Sequence, residues 1–382
     1  MAYQASAARY RQKLRSFTLV LSVVKLSAVS LSALMCTYAY SEANTAQTNP
    51  QYALSTPLPS ANRNPLVLVH SIPQPTGAYL TPAQTDQWGL ALEMASLSSQ
   101  NLTAAESADY AATSSPLGES ILLDGETIRG ELSYRFGINQ HSDITINLPY
   151  IAHTSGFADS GIEKWHDWFG LPNSNRGLRP RDALLYSYSI NGEEQLRIDR
   201  DQQGTGDIQL DYRYSLKPQT DDKTTADNSA IHHLLQVSLK LATGDRKRLT
   251  GSGSNSLAIS LNTAQASVPS IRQLSWHASS GAMWLDNGGV LADLKKQWLF
   301  FGSAGIGWQL NNQYALRLQF NGHSAIYNSD TKELGKTSGQ IVIGLNAKTG
   351  KQTLVQLYFT EDIIVRTSPD IGIGLSIRQF TD

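Results

Sequence analysis

Residues 370–380 read DIGIGLSIRQF. Ile371, Ile373, Leu375 and Ile377 alternate with Gly372, Gly374, Ser376 and Arg378. Successive side chains of an extended strand point to opposite sides, so a period of two gives a strand with unlike faces. Here one face is aliphatic and the other is small or charged. The stretch also has the order polar, any, Gly, any, any, apolar, any, apolar, which barrel assembly machinery reads on the last strand of an outer-membrane protein. Asp370, Gly372, Leu375 and Ile377 take those places, with Phe380 near the end. It departs from the order in having Leu375 where an aromatic is usual, and in having Thr381 and Asp382 after the Phe. The stretch predicts a membrane-spanning strand that closes a barrel.

Working back towards the N-terminus, the same alternation recurs. Ile144, Ile146, Leu148 and Tyr150 oppose Thr145 and Asn147, and Tyr314, Leu316, Leu318 and Phe320 oppose Ala315, Arg317, Gln319 and Asn321. Strands are predicted at 87–98, 126–136, 142–153, 206–216, 232–243, 254–264, 272–284, 297–309, 313–326, 338–347, 351–361 and 369–380. About twelve strands is an even number, as bacterial single-chain barrels have. Connections alternate between short turns (137–141, 310–313, 346–351) and longer loops (99–125, 154–205, 244–253, 285–296, 327–337), with 217–231 as the exception. Short turns belong on the periplasmic side and long loops outside. A soluble β-sandwich also alternates, but charges fall on the would-be core face too often. Trp88, Tyr134, Phe136, Tyr150, Trp276, Trp298, Trp308, Tyr314, Phe320 and Phe359 sit where interfacial girdles would need them. The expected fold is therefore all-β: a transmembrane antiparallel barrel, with a short helix and a hairpin in one long insert.

Residues 1–43 read as an export signal. Arg9, Arg11, Lys13 and Arg15 precede two apolar runs separated by Lys25, and small residues follow near Ala39, Ser41 and Ala43. The single cysteine, Cys36, follows Met35 rather than a small residue, which excludes a lipoprotein signal. Polar, proline-containing residues 44–62 read as a flexible N-terminal segment, and 63–382 as the barrel. Charged residues make up 16% of the chain, with 31 basic and 32 acidic. That balance, with no basic run, argues against nucleic acid as a partner. The expected surroundings are outer-membrane lipid and lipopolysaccharide, with the chain as a monomer.

The inward face predicts pore-lining charges at Glu93, Arg129, Glu131, Arg135, Asp211, Arg213, Lys240, Arg317 and Arg378. Charges of both signs in a lumen either set a field across a water channel or lock into ion networks. The insert 154–205 offers a helix at 159–170 whose Ile162, Trp165, His166 and Phe169 share one face. Asp159 or Ser160 would cap it, and a hairpin turned at Asn191-Gly192 follows. The helix is either a rim element or a plug within the lumen, and in the preferred reading the insert is the constriction. Arg246, Lys247 and Arg248 are placed to meet lipopolysaccharide phosphates. His153 and Ser155, two apart at a strand end, are weak candidates for a lipid-hydrolase pair. His153, Asp159 and His166 have no spacing that defines a metal site, and no cofactor is expected.

The runs ETIRGELSYRFGI, SDITINLPYIAHTSGFADSGIEKWHDWFGLPNSNRGLRPRD, GTGDIQLDYRYSL and LATGDRKRLTGSGSNSLAISL resemble the bacterial domain-of-unknown-function family numbered 3187. The likeness spans about 64–382, and IEKWH-x-x-FGLP is its most specific part. It implies an outer-membrane barrel and supplies no catalytic residue. The TGD…L-x-GSG run is also similar to barrels associated with uptake of aromatic or hydrophobic compounds. Passage of a small solute through a narrow or gated channel is the expected function. A lipid hydrolase or a non-conducting structural barrel is the alternative.

Overall fold

In the computed structural model, residues 50–101, 118–170, 180–217, 229–350, 352–364 and 367–380 are described. The predicted signal 1–43 lies outside them. Twelve strands form the wall: β1 (Asp86–Gln100), β2 (Glu119–Asn139), β3 (Ser142–Thr154), β7 (Ile208–Ser215), β8 (Ile231–Leu241), β9 (Ser256–Gln265), β10 (Leu274–Leu285), β11 (Trp298–Gln309), β12 (Tyr314–His323), β13 (Ser338–Thr349), β14 (Thr353–Asp362) and β15 (Ile371–Phe380). Each pairs antiparallel with its neighbours in chain order. β1 closes the ring on β15, from Gln87↔Phe380 to Ser96↔Ile371. Closure removes the open sheet edge, which hydrocarbon cannot solvate.

The two faces are inverted relative to a soluble protein. On β12, Leu316 is 49% exposed on the outside while Arg317 is 2% exposed on the inside. The same division puts Ile259, Ile306, Ile343, Leu357 and Ile373 outward. A continuous apolar belt of this kind is incompatible with water and matches hydrocarbon. Aromatic residues mark its edges. Trp88, Tyr134, Trp276, Trp308 and Tyr314 lie near the short turns, and Trp284 and Trp298 face each other near the long loops. Trp298 and Trp308 are separated by about ten residues of β11. At roughly 3.3 Å per residue and about 40° of tilt, that spans about 25 Å.

The insert after β3 sits differently from expectation. The helix Asp159–Phe169 forms where predicted, and the chain entering it is tied down by Glu126, whose Oε1 accepts from Phe157 N (2.9 Å) and Ala158 N (2.7 Å). Trp165 packs on Phe359 with ring centroids 5.5 Å apart. Phe359 points out of β14, opposite to Tyr358, whose hydroxyl reaches Glu93 in the lumen. The helix is therefore on the outside of the barrel, and the plug reading of Ile162 and Trp165 is corrected. Ile162 is buried beneath the helix, Trp168 is 82% exposed, and the side chains of His166 and Phe169 lie outside the described residues. The hairpin, β4 (Leu185–Ile190) and β5 (Glu193–Ile198), turns at Asn191 (φ 51°) and Gly192 (φ 81°) as its sequence requires. β4 pairs with Glu119–Asp124 and raises the wall above the membrane. The short strand β6 (Gln202–Thr205) pairs with the end of β3.

What fills the barrel is the N-terminal segment. Residues 44–62 were expected to be flexible, and 63–85 to begin the barrel. Instead Leu54, Leu58, Ser60, Asn62, Arg63, Asn64, Leu66 and His70 are almost fully buried inside it. The segment starts near the short-turn end, where Asn346 Nδ2 donates to Leu54 O (3.0 Å) and Thr56 O (2.8 Å). It climbs along β12–β14, turns at Ser71 (φ 52°), and descends to Thr81, whose N–H donates to Asp143 Oδ2 (2.9 Å). Its apex, Leu66, Val67 and Val69, packs with Tyr186 and Tyr188 of the hairpin and with Leu249, Val290, Ile326, Tyr327 and Leu334 of the loops. This apolar cap closes the outer mouth.

Candidate functional site

Among the described residues, the lumen gathers many charged side chains away from water, so the site is built from its wall inward. All nine predicted charges are on the inner face. Arg213 pairs with Asp143, Nε to Oδ1 at 2.7 Å with a second bond beside it, and neither side chain is accessible to solvent. Lys240 Nζ meets Asp207 Oδ2 at 2.7 Å. Arg129 pairs with Glu131. Arg317 donates to Ser275 Oγ (2.8 Å) and lies 2.8 Å from His277 Nδ1. Asp211 accepts from three amides, Asn147 (2.7 Å), Gln209 (2.8 Å) and Gln236 (3.3 Å). These residues line a filled lumen rather than an open one. Burying such groups costs several kcal/mol each unless they are paired, which explains the density of partners.

Glu93 pairs with Arg63, which belongs to the N-terminal segment. Apart from Arg63 and His70, residues 44–85 carry no charged or imidazole side chain. The segment is held mainly by wall amides. Gln319 bonds both ways to Leu58, Oε1 accepting from its N–H at 3.0 Å and Nε2 donating to its carbonyl at 3.1 Å. Asn321 donates to Ser60 O (3.0 Å) and Gln356 to Pro57 O (3.0 Å). Asn62 Nδ2 donates to Thr367 O at 2.9 Å. An extended chain without a ladder must satisfy its carbonyls in some other way. Here Asn and Gln side chains do so, and Pro57, Pro59, Pro65, Pro73 and Pro75 remove N–H groups that would otherwise need acceptors. The small residues of β15 face the lumen. At Gly374 the ring of Tyr358 occupies it, and a Cβ there would collide with that ring.

At the apex, Tyr327 donates its hydroxyl proton to Leu66 O (2.9 Å), so His70 Nε2, 2.7 Å away, is the donor to Tyr327. Burial, then the nearby Lys240, Lys295 and His323, hold the His70 pKa well below 6.5. In the loop beneath the cap, burial and the neighbouring Lys240 bring the Lys295 pKa down to about 8.

The His153/Ser155 pair is not assembled. His153 is fully buried, with Nδ1 2.9 Å from Thr127 Oγ1 and Nε2 2.9 Å from Leu249 O. Both ring nitrogens are committed, and neither serves Ser155. Among the described residues, no group of three or more His, Cys, Asp or Glu side chains is placed to hold a metal ion. Arg246–Arg248 form an exposed turn capped by Asp245, whose Oδ1 accepts from Lys247 N at 2.8 Å.

The functional residues that sequence reading missed fall into two groups. Asp143 and Asp207 were discoverable, because each falls on or beside the inward parity of its strand. Arg63, Asn62, His70 and Tyr327 were not, since no periodicity links a lumenal segment to the wall. The one available signal was the uncharged run PLVLV at 65–69, too apolar for a solvated linker.

Solved barrels share the outline. An outer membrane channel from Pseudomonas putida F1 aligns with a TM-score of 0.49 at 8% identity, covering 80% of this chain and 98% of that one. The NanC porin aligns at 0.40 and 6%, covering 78% and 100%. The Ralstonia pickettii toluene transporter TbuX aligns at 0.38 and 8%, covering 78% and 90%. No curated protein matches in sequence. The profile of the family described as a protein of unknown function, DUF3187, matches residues 32–380, and the chain belongs to that family.

Proposed function

We propose that this chain is a gated outer-membrane channel for a small polar solute, and that the N-terminal segment 50–85 is its gate. The observation that carries this reading is a charged, amide-lined lumen filled by a separate, ladder-free stretch of chain. Eight strands are just filled by their own side chains, whereas sixteen or more leave a wide channel. Twelve leave an interior that wall side chains alone do not fill. A segment held by hydrogen bonds, one ion pair and the apolar contacts of its apex, with no β-ladder to the wall, can leave without breaking the barrel.

In this reading the signal at 1–43 exports the chain, and the assembly machinery recognises Asp370, Gly372, Leu375, Ile377 and Phe380. The exposed Arg246, Lys247 and Arg248 face lipopolysaccharide. A heat-modifiable gel shift, together with labelling of Lys247→Cys on intact cells, tests location and orientation.

Planar-bilayer recording tests the function. The full-length mature protein should be closed or open only in brief events, and a variant lacking 50–80 should conduct steadily. Absence of conductance from a correctly folded deletion variant would sink the channel. A second reading, a permanently closed structural barrel, is favoured by how completely the lumen is filled. That same outcome would establish it.

A further inference from the structure

Between the gate segment and the wall formed by β1, β2, β3, β7, β8 and β15 lies a cavity of about 70 Å³. A cavity needs roughly 10–15 Å³ of such volume per water, so this one admits an anion the size of acetate or phosphate. Its lining includes Arg63, Arg129, Arg135 and Arg378, with Glu131 and Asp211. The charges do not balance. Arg63 is taken by Glu93, Arg129 by Glu131 and the adjacent Arg213 by Asp143. Asp211 accepts from the neutral amides of Asn147, Gln209 and Gln236, so its charge remains and offsets one guanidinium; four carboxylates stand against five arginines, an excess of one positive charge.

Two guanidiniums remain. Arg135 donates only to neutral oxygens, Thr145 Oγ1 at 2.9 Å and Gln87 Oε1 at 3.4 Å. Arg378 has no hydrogen bond or ion pair among the described residues, although it points into the lumen from β15. In register, Arg378 stands beside Gly89, and Gly89 beside Ser133. Gly89 has no side chain, and a Cβ there would run into Ser133 Oγ and lie 3.8 Å from Arg378 Cγ. The glycine makes room for the Ser133 hydroxyl, which borders the cavity. Arg135 and Arg378 are half-buried and make no ion pair among the described residues, and the planar fork of a guanidinium suits carboxylate or phosphate oxygens.

We propose that this cavity is a binding site for a small oxyanion, a carboxylate or phosphate group, held by Arg135 and Arg378 at the seam between gate and wall. Gln87 and Ser133 supply neutral polar atoms around it. On the gate side, with its carboxamide oxygen towards the arginines, Gln74 accepts from Arg63 (2.9 Å) and Arg129 (3.2 Å). The wall and the gate segment thus both border the bound anion. The site does not depend on whether the lumen conducts.

Calorimetric titration of the purified full-length barrel with sodium acetate and with inorganic phosphate tests the proposal, with chloride concentration held constant. Saturable binding of one equivalent of either oxyanion is expected, and the one bound more tightly identifies the head group. R378Q and R135Q should each weaken it about tenfold or more, the loss of one charge-assisted contact. S376E provides a second test that does not remove a charge. Arg129 and Glu131 already pair at a spacing of two on one strand face, so a glutamate at 376 should pair with Arg378 and abolish anion binding while retaining the heat-modifiable fold. No saturable binding of either oxyanion, or binding unchanged in R378Q and S376E, overturns the site.

Discussion

The N-terminal segment 50–85, expected to be flexible up to residue 62, fills the lumen, while the helix of the insert 154–205, expected on the rim or as a plug, lies outside the barrel. The insert has the marks of an ordered element: a helix with one apolar face and a well-formed hairpin. Its helix lies against the outside of the barrel through Trp165 and Phe359, and its hairpin extends the wall. The N-terminal segment has the marks of a linker, with prolines, amides and hardly a charge, yet it fills the lumen. The difference shows what each environment selects. An outer rim beside lipid selects a periodic apolar face. A charged lumen selects a proline-containing chain, irregular apart from the short helices Pro50–Ser55 and Pro65–Leu68, with few N–H groups and few charges, because every donor and ion buried there needs a partner already on the wall.

That contrast is open to test, and the largest effect should come from deletion. Removing 50–80 should convert a closed barrel into a steadily conducting one, while removing the helix at 157–170 should leave conductance unchanged. Recording both variants in one bilayer system would reverse the assignment if the second deletion opens the pore.

Arg63→Met should come next, because it strands Glu93 without its cation. Losing one member of a buried pair costs about 3–5 kcal/mol, here charged against docking of the segment rather than against the barrel. Protease clipping within 50–80 should accelerate sharply, and Arg63→Met combined with Glu93→Gln should recover most of the protection.

Gln319→Ala removes both bonds to Leu58 and should cost about 1–3 kcal/mol of docking. Labelling of a cysteine at Ser60 measures it. The equivalent change on the outer face, Leu318→Ala, should leave that labelling rate alone.

The pH response should be smaller and of defined sign. His70 is held neutral when docked, since burial keeps its pKa well below 6.5. When the segment leaves, the imidazole regains its ordinary affinity for protons. The undocked state therefore binds more protons below about pH 6.5, and docking weakens as pH falls through that value. Open probability should rise between pH 7.5 and 5.5, and His70→Asn should flatten the response. A rise on alkalinisation instead would contradict the docked geometry.

Trp168→Ala should do least. The residue is 82% exposed on the outer helix, and a surface change of this kind usually stays within about 0.5 kcal/mol. The temperature of the gel shift should not move detectably.

The sequence by itself determined the wall: twelve strands, their boundaries within a few residues except for β2, which begins at Glu119 rather than 126, and the parity of each charge. Alternation is a local property, and a membrane barrel enforces it on every strand because one face meets hydrocarbon and the other water or polar protein. The helix at 159–169 and the Asn191-Gly192 turn were legible for the same reason, since caps and turn dihedrals are fixed by neighbours in sequence. The tertiary structure alone decided which segment occupies the lumen. The bonds that hold it join residues about 260 to 300 apart, such as Leu58 with Gln319 and Pro57 with Gln356. Nothing periodic marks such a segment, because its partners come from several strands of a closed ring rather than from one repeating face. The same closure brings Arg135 and Arg378 to one cavity from strands at opposite ends of the barrel sequence.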